Sequence, residues 1–168
     1  MPQRPSLYDR SIVLTDEPFI CRESTKKILI LREKDTQISK ELFPKTIPVI
    51  EMVIPEKKEM IHQLIQTQTI GTHIFVLAPW DKASMVFDVC IEEGMSEEEL
   101  QIQILGEKKR KVYCMKCYQL HEVKLDATTT QCSCGTHLSV GPFFSALRQG
   151  YIGYPFQPII EKVRSCVR

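Results

Sequence analysis

The stretch Val112–Cys117, VYCMKC, and the stretch Cys132–Gly135, CSCG, decide the fold of the C-terminal part of this chain. Two close cysteine pairs at this separation are typical of a zinc ribbon, in which each pair lies on a tight turn and both turns bind one tetrahedral metal ion. The first pair has the common C-x-x-C spacing, whereas the second is C-x-C, one residue shorter. The sequence therefore predicts a metal centre with an irregular second turn.

Several ligand sets are compatible with this pattern. The predicted ligands are Cys114, Cys117, Cys132 and Cys134. His137 or His121 could replace one cysteine as a nitrogen ligand, and a chain without metal or with two local disulfides is the remaining alternative. Four thiolates suit zinc, and the same set can hold a single iron as in rubredoxin. A ribbon of about 30 residues has too small a core to fold alone, so the metal is expected to supply folding free energy.

Composition places the chain among globular proteins. It has 168 residues, 43% hydrophobic and 26% charged, with a formal net charge of +1. This balance makes nucleic-acid binding unlikely without a local basic patch. No signal-peptide core and no apolar run of about 20 residues is present, so we expect a cytoplasmic protein that does not enter a membrane. Cys21, Cys90 and Cys166 are interpreted as ordinary small apolar residues.

The chain divides into four predicted segments. These are an irregular lead-in at 1–25, an α/β domain at 26–106, a zinc-ribbon domain with a short helix at 107–155, and a basic tail at 156–168. The charged run at 106–111 marks the boundary between the two domains, and such runs are usually solvated linkers.

Apolar runs and helical periodicity alternate through the α/β domain. Strands are predicted at 26–32, 46–54, 72–78 and 100–105, with a further short one possible at 11–14. Helices are predicted at 35–43, from Pro55 until Gly71 stops the second, and at 82–93. This alternation predicts a small parallel sheet, whose ligands would bind at the carboxyl ends of its strands, in loops 32–36, 53–56 and 78–82.

Part of this domain resembles the nicotinamide-binding domain of ferredoxin reductases. The resemblance is carried by Leu77–Pro79, a helix ending at Gly94, and an acidic turn and strand over Glu97–Leu105. Leu77 and Ala78 stand where that family has Cys and Gly, and the loop at 32–36 has no phosphate-binding glycine. We interpret the domain as a dinucleotide-domain scaffold that has lost its binding residues, which makes NAD(P)H binding doubtful.

Aromatic residues follow the second cysteine pair. A short helix is predicted from Phe143 to about Gln149, ended by Gly150. The aromatic side chains exceed what a small ribbon can bury, so some are expected to pack on the α/β layer or on another protein chain. The interface candidates are Phe143, Phe144, Tyr151 and Tyr154.

From Val112 to Tyr154 the pattern V-x-C-x-x-C, T-x-C-x-C-G, L-x-V, F-S-x-x-L and Y-x-G-Y is similar to the C-terminal domain of the small accessory subunit (DmmA-like family) of bacterial dimethylamine monooxygenase. The resemblance covers about residues 25–155. It implies a component of a heme-dependent oxidative N-demethylase. Partner subunits would carry the heme and a flavin and iron–sulfur reductase, and the complex would oxidise dimethylamine or a related N-methyl amine with O2 and NADPH.

The residues themselves give no reason to assign catalysis to this chain. It has no paired carboxylates, no nucleophile–base motif and no three-ligand zinc site, and neither His62 nor His73 has a partner at motif spacing. A structural or electron-relay subunit is therefore expected. Two alternatives stay open: a zinc-ribbon adaptor that binds nucleic acid or a regulatory protein through residues 108–111, and an NAD(P)H-dependent reductase component.

Overall fold

A computed structural model of the chain describes residues 5–158. The described residues form two compact units that divide between Lys109 and Arg110. Most of the predicted basic tail, from residue 159 onward, lies outside the described residues, as does Cys166. No helix in the described part of the chain has the length and apolarity needed to cross a membrane.

The first unit is an α/β layer. Its elements are β1 (Lys27–Arg32), β2 (Val49–Val53), α1 (Lys58–Gln66), β3 (Thr72–Ala78), α2 (Trp80–Glu92) and β4 (Leu100–Ile104). The four strands are all parallel and lie in the order β2-β1-β3-β4. The predicted α/β class with a small parallel sheet is thus confirmed. Every side chain of β3 is buried, as expected for a central strand covered on both faces.

The two faces of this sheet are covered in different ways. Leu29, Leu31, Ile74 and Val76 belong to a core cluster that includes apolar side chains of both helices. The core cluster on the opposite face includes no α-helix residue among the described residues. There Phe75 stacks between Phe19 of the lead-in, with ring centroids 4.8 Å apart, and Phe43, at 5.4 Å. The lead-in is therefore part of the core.

One prediction for the first unit is wrong in part. The helix predicted at 35–43 is only a 3-10 turn at Lys40–Leu42, because a segment this short cannot repay helix nucleation and Phe43 instead enters the core. The strand predicted over 46–54 is present; it begins at Val49 and lies at the edge of the sheet, as the proline at position 48 indicates. The possible strand at 11–14 is a single bridge between Leu14 and Ile102.

His73 gives the first unit a predicted pH dependence. Its side chain is 3% exposed, its Nε2 lies 3.4 Å from Ser24 Oγ, and its Nδ1 has no hydrogen-bond partner among the described residues. Burial lowers the pKa of His73, the nearby Glu99 carboxylate opposes this shift, and Arg22 adds to it. Because the folded pKa lies below the unfolded value of about 6.5, stability is complete above that pH and is lost as the pH falls toward the folded pKa.

We therefore expect the free energy of unfolding of the wild-type chain to fall more steeply between about pH 7.5 and about pH 5 than that of His73→Gln. Urea titrations followed by the fluorescence of Trp80, the single tryptophan, report this difference. Equal slopes in the two proteins would show that His73 is not responsible.

The second unit is a five-stranded sheet. Its strands are β5 (Lys109–Cys114), β6 (Leu120–Lys124), β7 (Thr129–Gln131), β8 (His137–Ser145) and β9 (Gly150–Phe156), in the order β6-β5-β9-β8-β7. β5 and β9 are parallel, whereas β7 and β9 each pair antiparallel with β8. One face carries a small core of Val112, Leu138, Tyr151 and two of the cluster cysteines, Cys114 and Cys132.

The helix predicted from Phe143 to about Gln149 is wrong. Residues 143–145 are the end of β8, residues 146–149 form a turn, and Ser145 pairs with Gly150 in an antiparallel hairpin. Gln149 has φ 55°, a left-handed conformation that closes such a turn but cannot continue a right-handed helix. The helix-forming residues Ala146 and Leu147 are too few to override the pairing of Phe144 with Tyr151.

Gly153 shows how tightly this sheet packs on its core. A Cβ atom at this position would lie 2.8 Å from Val112 Cγ1 and 3.0 Å from Leu138 Cδ1. Only glycine allows β9 to approach these two side chains so closely.

Candidate metal centre

Two turns of the second unit bring four sulfurs together. The Sγ atoms of Cys114, Cys117, Cys132 and Cys134 all lie within 4.8 Å of one another. The Sγ atoms of Cys117 and Cys132, one from each turn, are 3.3 Å apart. In a tetrahedral site with metal–sulfur bonds of about 2.3 Å, the sulfurs are about 3.8 Å apart, so these four side chains lie close enough to hold one metal ion.

The first turn follows directly from β5. The backbone N–H of Cys114 donates to the carbonyl of Gln119 at 2.9 Å, and its carbonyl accepts from the N–H of Tyr118 at 2.9 Å. Tyr118, the residue after the second cysteine, has φ 64°. This left-handed residue reverses the chain and directs both sulfurs of the pair to the same side.

The second turn has the same plan with one residue fewer. The N–H of Cys132 donates to the carbonyl of Thr136 at 2.9 Å, and the N–H of Gly135 donates to the carbonyl of Cys132 at 2.8 Å. Gly135, again the residue after the second cysteine, has φ 80°. The closing bond spans residues 132–136, whereas in the first turn it spans 114–119. The C-x-C spacing is therefore a shortened turn that still presents both sulfurs.

Burial and hydrogen bonding distinguish the four thiols. Cys114 and Cys132 are buried, Cys117 is half-buried and Cys134 is exposed. A hydrogen bond with Thr136, whose Oγ1 is 3.3 Å from the sulfur, lowers the pKa of Cys134 to about 6. Burial raises the pKa of Cys132 to about 12. Cys134 therefore ionises more readily than Cys132, and the thiolate is the form that binds metal.

The two histidines considered as substitute ligands have different surroundings. His121 Nε2 lies 3.0 Å from Cys132 Sγ, so the imidazole contacts one of the four clustered sulfurs. The ring of His137 lies against Phe156, with centroids 6.0 Å apart. Four sulfurs are enough to coordinate one tetrahedral ion without a histidine, and His121 is placed to donate an N–H to one of them. Sequence reasoning missed this supporting role because it considered His121 only as a ligand.

We predict that His121→Ala weakens zinc binding by about 10- to 100-fold without reducing the stoichiometry, because groups that support a metal ligand have effects of this size. Competition with a chromogenic chelator measures the affinity. His137→Ala is the matched control and should bind zinc as tightly as the wild-type chain. Equal affinities in all three proteins would show that His121 does not support the site.

The four interface candidates fall into two pairs. Tyr151 is 1% exposed and packs edge-on against Phe144, with ring centroids 5.8 Å apart, in the core of the second unit. Phe143 is 78% exposed and Tyr154 54% exposed. The second pair alone presents a large apolar surface to solvent.

The place where an α/β sheet binds a dinucleotide is occupied here by the chain's own charges. In the order β2-β1-β3-β4, strand β2 is added on one side of β1 and strand β3 on the other, so a ligand would lie between the carboxyl ends of β1 and β3. There the N–H of Glu33 donates to the carbonyl of Leu77, and the Glu33 carboxylate lies 3.0 Å from Lys82 Nζ. The hydrogen bond from Lys82 lowers the pKa of Glu33. A carboxylate in this position disfavours a diphosphate.

The remaining candidate groups of the first unit contact other residues of that unit or are buried within it. His62 lies between two carboxylates, with Nε2 3.1 Å from Glu92 Oε2 and Nδ1 2.6 Å from Glu93 Oε1, and so joins α1 to the end of α2. Cys90 is fully buried, and burial raises its pKa to about 12. Burial also raises the pKa of Cys21. None of these thiols is placed as a nucleophile.

Comparison of the chain with protein-family models, with curated proteins and with solved structures finds no match. The resemblance of the ribbon motifs to the DmmA-like family stays a prediction, and the function must be argued from the site.

Proposed function

We propose that this chain is a non-catalytic accessory subunit of a multicomponent amine monooxygenase or N-demethylase complex that acts on dimethylamine or a related N-methyl amine. Its cysteine cluster would hold one zinc ion that stabilises the second unit. Partner subunits would supply the heme, the flavin and the iron–sulfur cluster.

The four-sulfur cluster supports the non-catalytic, structural part of this proposal, and the monooxygenase part rests on the resemblance of residues 112–154 to the DmmA-like family. Catalytic zinc sites have three protein ligands and an open position for water, whereas four thiolates complete the tetrahedron and suit a structural ion. Around the cluster, His121 contacts a sulfur and Val112, Leu138 and Tyr151 form a small core. These side chains offer packing and support to a structural ion.

The same ligand set supports a second form of the proposal, an electron-relay subunit. A single iron bound by four cysteines changes oxidation state, whereas zinc does not. The two forms are separated by metal analysis and by the visible absorption of the purified chain. Zinc in the purified chain would support the structural role. Iron would instead support a role in electron transfer between partner subunits.

Co-expression with a heme-containing oxygenase subunit and a flavin and iron–sulfur reductase tests the proposal. We expect the chain to co-purify with the heme subunit and the complex to convert dimethylamine to methylamine and formaldehyde. Omission of this chain should reduce assembly or turnover. Assembly and turnover that do not depend on the chain would contradict the proposal.

Two other functions predict different results in the same preparation. A nucleic-acid adaptor would bind oligonucleotides in a salt-sensitive manner, because phosphate contacts release counterions. A reductase component would bind NADPH in calorimetry. The ion pair between Glu33 and Lys82 at the carboxyl ends of β1 and β3 favours the absence of nucleotide binding.

A further inference from the structure

The sheet of the second unit has two different faces. Val112, Tyr151 and Leu138 point to the core face, on which the cysteines lie. Since side chains alternate along a strand, Tyr113 on β5 and Tyr154 on β9 point to the opposite face, which we call the outer face. Phe156 follows Tyr154 by two residues on β9 and so points to the same face, and its pairing partner on β8 is His137.

Apolar side chains are exposed on this outer face. Tyr154 is 54% exposed, Phe156 39% and Phe143, next to the core residue Phe144, 78%. The ring of Tyr154 lies over Gly141, where a Cβ atom would be 3.0 Å from the ring. Aromatic side chains held on rigid strands lose little conformational freedom on binding, which makes them effective anchors of an interface.

Basic side chains accompany these aromatic residues. Lys111 alternates with core residue Val112 and so points to the outer face, and the Arg148 guanidinium lies 5.0 Å from the centre of the Tyr113 ring. Lys116 shares a shallow groove with Phe156. This combination of aromatic and basic groups is typical of the centre and rim of a protein interface.

The two units have opposite charge, which the whole-chain value of +1 conceals. Residues 5–109 hold thirteen basic and eighteen acidic side chains. Residues 110–158 hold five basic side chains, Arg110, Lys111, Lys116, Lys124 and Arg148, against two acidic ones, Glu122 and Asp126. The second unit would therefore attract an acidic surface and repel another copy of itself.

We propose that the outer face of the second unit is a docking surface for a partner protein whose contact area is apolar at its centre and acidic at its rim. The inference rests on the proposed function, in that such a subunit needs a partner. Beyond that function, we specify the binding face, its anchor residues Phe143 and Tyr154, and the charge of the partner.

The composition of the exposed surface favours a protein over a nucleic acid. Leu147, Leu120 and Met115 are 67%, 43% and 41% exposed, and aliphatic side chains have no π-face on which a base can stack. A symmetric pairing of this face with a second copy is disfavoured too, because both copies of the second unit carry the same net positive charge.

Photo-cross-linking identifies the occupant in cells. The full chain carries p-benzoylphenylalanine at position 143, or at position 70 as the control, since Ile70 is 94% exposed in the first unit. A partner cross-linked at position 143 and absent at position 70 is identified by mass spectrometry and purified. Calorimetry at low and high salt then measures its binding to the wild-type chain and to variants.

We expect Phe143→Ser and Tyr154→Ser each to weaken binding by about tenfold or more, as truncation of an anchor does. Lys111→Glu should also weaken binding and reduce its dependence on salt. Ile70→Ser and Lys45→Glu are the matched controls for lost apolar area and reversed charge, and their affinities should stay within about twofold of the wild type. Zinc content and thermal unfolding confirm that each variant is folded.

Four results would contradict the proposed docking surface. Two come from cross-linking: no partner captured at position 143, or capture of a second copy alone. The other two come from binding: a partner whose affinity is unchanged in the three outer-face variants, or binding of a single-stranded oligonucleotide that these variants abolish. The proposed function fails differently. A partner that depends on Phe143 and Tyr154 but carries no heme, flavin or iron–sulfur cluster would remove the monooxygenase role and leave the docking surface in place.

Discussion

Replacement of Cys114 or Cys134 by serine is expected to release the metal and unfold the second unit. A serine hydroxyl is a poor ligand for zinc, so three thiolates remain from a set whose binding contributes folding free energy on the order of 10 kcal/mol. Little other burial stabilises this unit without the metal, since its buried core consists of Val112, Leu138, Tyr151 and two of the predicted ligands, Cys114 and Cys132. Cys134 tests the shortened turn in particular, because it is the exposed member of the C-x-C pair.

Elemental analysis and hydrogen exchange measure the two parts of this prediction. Metal content should fall from about one ion per chain to a small fraction, and amides of β5 to β9 should lose protection. The first unit has its own core around β3, so Trp80 fluorescence should still show cooperative unfolding. Complex assembly should fail together with the second unit.

Cys21→Ser is the control for the loss of a thiol. Cys21 is half-buried and lies beside Phe19 in the first unit, outside the cluster. This variant should retain the metal in full. Metal retained at full stoichiometry by Cys114→Ser or Cys134→Ser would refute the four-cysteine assignment.

Phe75→Ala is expected to destabilise the first unit by about 3–5 kcal/mol, the usual cost of removing a buried phenylalanine ring. The Phe75 side chain is 0% exposed and lies between the rings of Phe19 and Phe43, at 4.8 and 5.4 Å. Its loss would open a cavity and release two segments, the lead-in and the loop before β2, that cover this face of the sheet. Because a domain is only marginally stable, this loss is a large part of its total free energy of unfolding.

Urea unfolding followed by Trp80 fluorescence measures this effect, because Trp80 is 2% exposed in the core of the same unit. Phe143→Ala makes the same chemical change at a side chain that is 78% exposed, and it should alter stability by less than about 0.5 kcal/mol. Similar losses in the two variants would show that the Phe19–Phe75–Phe43 stack does not anchor the lead-in.

The parallel sheet could be predicted because its strands are continuous apolar runs. Ile28–Leu31 and Ile74–Ala78 are buried on both faces, and charged or polar residues frame them. The helix over Trp80–Glu92 is long enough for its periodicity to be clear. Sequence signals of this kind are local, and the structure agrees with them.

The errors arise where distant contacts decide the local conformation. Residues 143–149 contain good helix formers, but Phe144 packs on Tyr151 across a hairpin, which the sequence spacing does not show. The lead-in has no periodic pattern, and its role follows from the position of Phe19 on the sheet. Tertiary packing overrides propensity in both cases.

The grouping of the four cysteines could be predicted from the sequence, but the side chains that contact them could not. Cysteine spacing is a strong signal, and Gly135 after the second pair indicates a left-handed residue at the end of the turn. Tyr118 has the equivalent conformation without being glycine, so the first turn carries no such signal. The contact of His121 with Cys132 depends on how β6 is placed beside the cluster, which only the structure gives.

X-ray absorption at the zinc edge of the purified chain identifies the atoms bound to the metal. We expect one zinc ion per chain with four sulfur neighbours at about 2.3 Å, the coordination that Cys114, Cys117, Cys132 and Cys134 would supply. A shell of three sulfurs and one nitrogen would contradict it and point to a histidine ligand. A folded second unit that binds no metal would contradict it altogether.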